Sequence, residues 1–168
     1  MKTIVAILIL SSYAIGQDNA AVTAAEAACG PRDLNFEVKA DVSRHPTPSP
    51  ENGKALIYFV AEGSLTSMLG LDGKWVGAVN GGMYFFIPIE PGEHHLCALD
   101  QKGVLQIGSR RPSLHSLKAE PGASYYFVTR LTAIGWQGTA FVLELYPLDP
   151  DEGRALVARA KFSTSHAK

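Results

Sequence analysis

Glu93-His94-His95-Leu96-Cys97 gathers the side chains of this chain best suited to chemistry. Imidazole and thiolate are zinc ligands. Side chains alternate on a strand, so His95 and Cys97 point to one face. Cys29 and His115 could complete a zinc-like set, with His94 as a further ligand. That set needs both thiols free. Cys29 and Cys97 are the two cysteines of the chain. An even count in an exported protein points to a disulfide between them, the alternative being two unlinked buried thiols. Closing a loop of that length would stabilise the fold by about 4 kcal/mol in the chain-entropy view.

Other chemistry is sparse. No G-x-S-x-G, phosphate loop, C-x-x-C or H-E-x-x-H occurs, so neither catalysis nor a cofactor is expected. Glu90, Glu93 and Glu120 flank turns, where carboxylates are usually solvated. Trp75, Trp136, Tyr84, Tyr125 and Tyr126 could build a stacking platform for sugar or peptide. Trp136 is placed best, in the turn-like Ala133-Ile134-Gly135-Trp136-Gln137-Gly138, and Trp75 follows an Asp-Gly turn. The plainer reading is that most of these rings fill a core.

The elements that must position these groups read as short strands. Asn35 to Val42 alternates apolar and polar residues, as a half-buried strand does. His45-Pro46-Thr47-Pro48-Ser49-Pro50 has proline at every second position, which reads as an extended surface linker. Ala55 to Ala61 is apolar throughout, an interior strand covered on both faces. From Leu69 to Leu99 apolar runs alternate with Asp72-Gly73, Gly81-Gly82 and Pro91-Gly92. Asp-Gly predicts a tight hairpin with positive φ at both positions, and Glu90-Pro91-Gly92-Glu93 a type II turn. Pro88 marks an edge or a bulge. Further strands are expected at Val104 to Ile107, Leu114 to Ala119, Tyr125 to Leu131 and Thr139 to Tyr146, the last with Phe141, Leu143 and Leu145 facing in. The run forms one meander of hairpins. Asp149-Pro150-Asp151-Glu152 starts a helix, with Asp149 as cap and Glu152 completing a capping box. It ends near Ala160, and a polar tail follows.

The chain has 168 residues and a net charge of −1, which fits one domain with a real core. Interspersed charges leave no basic face for nucleic acid. Residues 1–16 read as a secretory leader: Lys2, an apolar run from Ile4 to Ile15, then Ala14 and Gly16 before a cut at Gln17. The run is too short to span a bilayer, and no later segment is long and apolar enough. An arm at 17–31, a single domain at 32–165 and a tail at 166–168 complete the division. The mature protein is expected in the periplasm or the medium.

Leu69-x-Leu71-Asp72-Gly73-x-x-Val76-Gly77 followed by Pro91-Gly92-x-His94-x-Leu96 is similar to the PEGA type of bacterial extracytoplasmic β-sandwich domain. The wider chain, with its second Pro-Gly before Tyr125-Tyr126-Phe127, resembles a family of bacterial secreted proteins known only as a domain of unknown function. Where the PEGA pattern has Thr-Pro after Val-Gly, this chain has Ala78-Val79. The resemblance implies a small β-sandwich without catalysis and supplies no functional residues. The fold expected is an antiparallel β-sandwich of about seven to ten short strands with one short C-terminal helix. The function expected is a secreted, non-catalytic binding or structural module, with a cell-envelope protein or glycan as partner. A metal-binding or hydrolytic protein using the His94/His95 region is the second reading.

Overall fold

Ala-Leu-Ile-Tyr-Phe-Val-Ala at 55–61 has no strongly polar position, and such a strand must be covered on both sides. All seven residues are buried in the computed structural model, which describes residues 29–31, 33–101, 112–134 and 140–168. The expected leader, the arm up to residue 28, the Val104–Ile107 strand and Trp136 lie outside the described residues. Among those described, the chain runs β1 (Phe36–Asp41), β2 (Ala55–Ala61), β3 (Thr66–Leu71), β4 (Lys74–Asn80), β5 (Met83–Ile89), β6 (Gly92–Asp100), β7 (Ser113–Ala119), β8 (Ser124–Ile134), β9 (Ala140–Leu148), α1 (Pro150–Arg159) and β10 (Lys161–Ala167).

These strands form an all-β sandwich. One sheet has six strands in the order β1-β10-β5-β2-β8-β9, and the other has four in the order β4-β3-β6-β7. Ile57, Phe59, Phe85 and Phe127 of the larger sheet meet Leu69, Val79, Leu96 and Ala98 of the smaller one in the main core. Each of these Ile, Phe, Leu and Val side chains, fully buried, is worth about 1.5–3 kcal/mol. Ser67 and Thr129 bridge the two sheets inside the structure with a 2.9 Å hydrogen bond. The alternate residues of β2, Leu56, Tyr58 and Val60, face the other way. They pack with Val157 of α1 and with Ala160 at its C-cap.

Serine side chains tie the two sheets together along both edges. Ser165 Oγ of β10 accepts from the Ala78 N–H of β4 at 3.1 Å, and Ser163 Oγ donates to the Ala78 carbonyl at 3.5 Å. At the opposite edge Ser113 Oγ of β7 accepts from the Leu145 N–H of β9 at 2.9 Å. An open strand edge invites pairing with another chain. Here side-chain oxygens occupy part of the backbone hydrogen-bonding capacity on both sides.

Several sequence expectations need correction. The larger sheet is mixed, because β2 pairs with β8 and β10 with β5 in parallel. Parallel neighbours are far apart in the chain, which local turn signals do not encode. The meander also breaks. β4 and β6 lie in one sheet and β5 in the other, so the Gly81-Gly82 and Pro91-Gly92 connections cross between sheets. Gly92 accordingly has φ 138°, away from the roughly 80° of a type II turn. Asp72 (φ 49°) and Gly73 (φ 79°) do form the expected tight hairpin.

The polar tail is a strand: all of β1 pairs with β10, which runs to Ala167, past residue 165. Its serines face a neighbouring backbone, so polarity there is no bar to a sheet. Asp149 caps α1 by accepting from the Asp151 N–H at 2.8 Å. Glu152 leaves the expected capping box and binds Arg130 at 3.1 Å, while Arg130 also holds Glu62 at 2.6 Å. Pro88 fits its edge reading, since β10 pairs with β5 only at Met83 and Tyr84. Phe141, expected to face in, is 46% exposed.

Candidate functional site

The two cysteines are joined. Cys29 and Cys97 form a disulfide with Cα atoms 5.3 Å apart, and both are buried. Cys97 lies on the outer face of β6, opposite Gly70 of β3. A Cβ at Gly70 would stand 2.8 Å from the Cys29 carbonyl, so only glycine leaves room for the arm. Trp75 closes the far side, its indole N–H donating to the Pro31 carbonyl at 2.6 Å. Trp75 therefore fastens the arm and is not an open platform. A disulfide of this kind belongs to an oxidising compartment outside the cytoplasm.

That bond removes the metal set first considered. Both sulfurs are committed, and the histidines are divided between faces. His95 follows Cys97 on the outer face, while His115 faces inward, edge-on to the Phe127 ring at 5.0 Å. His94 Nδ1 meets Asp72 Oδ2 and its Nε2 meets the Glu90 carbonyl, both at 2.7 Å. Among the described residues no three His, Cys, Asp or Glu side chains are grouped so as to hold a metal. Asp72 Oδ1 also accepts from the His95 N–H at 2.8 Å. A carboxylate and a carbonyl can only accept, so both ring nitrogens donate when both bonds are made. Burial works to lower the His94 pKa, but the bonds to Asp72 and Glu90 outweigh it and the net shift is upward. This dyad joins the β3–β4 turn to the β5–β6 connection.

A cleft lies on the outer face of the six-stranded sheet. Proline at 46, 48 and 50 fixes φ and removes three N–H groups, so the segment stays extended and cannot add to a sheet. Its carbonyls are used instead. Tyr84 donates its hydroxyl to Pro46 O at 2.9 Å, and Tyr58 donates to Pro48 O at 2.7 Å. The His45 ring lies 5.0 Å from that of Tyr84. The proline strap thus stands over the sheet on two tyrosine posts. Tyr84 itself is fully buried, so it supports the strap and cannot stack a ligand in the open.

Between the strap and α1 a cleft of about 470 Å³ remains. Its floor is Tyr58 and Tyr126, cross-strand partners in the parallel β2–β8 pair, stacked at 5.0 Å with planes 11° apart. One wall is Thr47, Pro48 and Ser49; the other is Arg154, Val157 and Ala158, with Ser124 at the end. The helix comes this close because residue 153 is glycine. A Cβ there would lie 2.2 Å from Tyr126 Cγ. Burial, with the neighbouring Tyr126 and Tyr84 phenols adding to it, pushes the Tyr58 pKa up to about 12. The hydroxyl therefore remains a donor at any physiological pH. Arg154 holds Asp151 one turn back on the helix. The volume falls within the range of small-ligand pockets.

Tyr58 and Tyr126 were hidden to sequence reasoning as a pair, because nothing local links residues 68 positions apart. The proline repeat was the available signal, and it marked the strap without its groove. No protein-family model matches the chain, and no curated protein is similar to it.

Proposed function

We propose that this is an exported, non-catalytic β-sandwich module that binds a cell-envelope ligand in the cleft between the proline strap and α1. The cleft carries this reading: a preformed hollow whose walls combine apolar rings, hydroxyls and one guanidinium. Export is supported by the buried disulfide and by the leader-like residues 1–16. No helix among the described residues is long and apolar enough to cross a membrane. The PEGA-like order of Asp72-Gly73, Val76-Gly77 and Pro91-Gly92-x-His94 agrees with an extracytoplasmic module.

Two measurements test the reading. Protein recovered from its host should begin at Gln17; an intact Met1 on cytoplasmic protein would overturn export. Isotope-labelled protein should then be titrated with a panel of monosaccharides, small organic acids and amino-acid amides. Weak binders should shift the amides of Tyr126, Arg154 and Val157 together. Shifts scattered over the surface, or none at millimolar concentration, would remove the cleft as a binding site.

A further inference from the structure

We propose that the cleft takes a second extended, proline-containing segment, supplied by a partner protein, laid beside the chain's own strap with an acidic side chain on Arg154. The inference rests on the cleft being the binding site and names its ligand class. Its warrant is a recognition mode that the molecule already uses on itself. Pro46 and Pro48 present carbonyls two residues apart, and Tyr84 and Tyr58 donate to them. A proline-rich segment offers acceptors and few donors, so it suits a wall of hydroxyls. The cleft supplies such hydroxyls from Thr47, Ser49, Ser124 and Tyr126.

The apolar part of the lining agrees. Pro48, Val157 and the edges of the two stacked tyrosines form a slot suited to pyrrolidine rings. A polyproline segment is extended before it binds, so little chain entropy is lost on docking. A sugar would need an open aromatic face. Tyr58 and Tyr126 cover each other instead, and both are largely buried.

Charge selects among proline segments. Arg154 and His45 line the cleft, and no carboxylate does. A guanidinium has five N–H donors, of which Asp151 and the Tyr126 hydroxyl take part. An acid on the incoming segment can share Arg154 at the rim.

The probe is a synthetic peptide with the strap's own sequence, His-Pro-Thr-Pro-Ser-Pro-Glu, added to the isotope-labelled mature protein. We expect shifts at Tyr126, Arg154 and Val157, with the Tyr84 region unchanged. Replacing the peptide's glutamate by glutamine, or Arg154→Gln in the protein, should each weaken binding about threefold to fivefold. Both changes together should cost no more than one, because they remove the same pair. Arg154 is an exposed helix residue, so the variant should keep its melting temperature; Tyr126→Phe, which removes a hydroxyl that also touches Arg154, provides a second test and should also weaken binding. Equal binding by a peptide with alanine at every proline position would overturn the proposal, as would displacement of the strap from Tyr84. Absence of peptide binding while small molecules still map to the cleft would overturn it too, and would leave the cleft standing as the site.

Discussion

At the scale of single residues, His94 is the group whose chemistry the fold changes most usefully. Its pKa is raised, so its contribution to stability is complete below the unfolded value of 6.5 and is lost as pH rises through the folded value. Asp72 is opposite. Burial would raise its pKa, but the bonds from the His95 N–H and the His94 ring bring it below 3.8, so its contribution is lost as pH falls. The pair is therefore strongest between about pH 4 and 6.5. His94→Gln should lower the melting temperature more at pH 5.5 than at pH 8. An equal loss at both values would mean that the imidazolium pairing adds nothing. Sequence reading finds Asp72 and His94 as members of one motif and misses that they touch, since the contact depends on the pairing of β3 with β6, which are not consecutive strands. It likewise offered Tyr84 as a ligand platform because a strand tyrosine shows its face only when the covering layer is known. The cysteine pair was legible for a simpler reason: two thiols in an oxidising compartment leave one possible intramolecular bond.

At the scale of elements, most strands were visible because alternation and turn residues are local, whereas sheet membership was not. Nothing local in Met83–Ile89 says that it leaves the sheet of its neighbours, and nothing in Lys161–Ala167 says that a polar run will pair. β10 pairs because Ser163 and Ser165 have a backbone to meet. Ser165→Ala should leave the buried Ala78 N–H without its side-chain acceptor, at a cost of about 1–3 kcal/mol. Hydrogen exchange at Ala78 should accelerate in that variant; unchanged exchange would show that the serine does not close this edge. The helix gives a sharper case. Gly153→Ala would gain about 1 kcal/mol of helix propensity in an isolated helix. Here the added Cβ would fall on the Tyr126 ring, so the helix must move off the sheet. Overpacking of this kind costs about 1–3 kcal/mol. The variant should melt lower than the parent and its cleft should widen. A higher melting temperature would mean that α1 does not seat as closely as described.

At the scale of the whole molecule, the disulfide determines what the N-terminal arm is worth. The six-stranded sheet does not need it: β1 is held by β10 through its full register, and the Lys168 N–H donates to the Asn35 carbonyl at 2.8 Å. The arm before β1 has a different support. Cys29 is bonded to Cys97, its carbonyl lies over Gly70, and Pro31 takes the Trp75 indole. Leu34 and Phe36 then pack with Met68, Ala78 and Trp75 on the same outer face. Removing the crosslink frees a loop whose ends are 68 residues apart, which should lower stability by about 2–4 kcal/mol. The loss should be local before it is global. In Cys29→Ser/Cys97→Ser, amides at Gly70 and Trp75 should exchange faster, while Ile57 and Phe59 in the core keep their protection. Trp75 offers a second readout, isolated in a Trp136→Phe background. Losing the Pro31 bond and the cover of the arm should move its emission toward that of an exposed indole. If Ile57 and Phe59 lost protection together with Gly70, the arm would be part of the core and not a strap fastened onto it. If the melting temperature stayed the same, the arm would be held by Phe36, Leu34 and Trp75 alone.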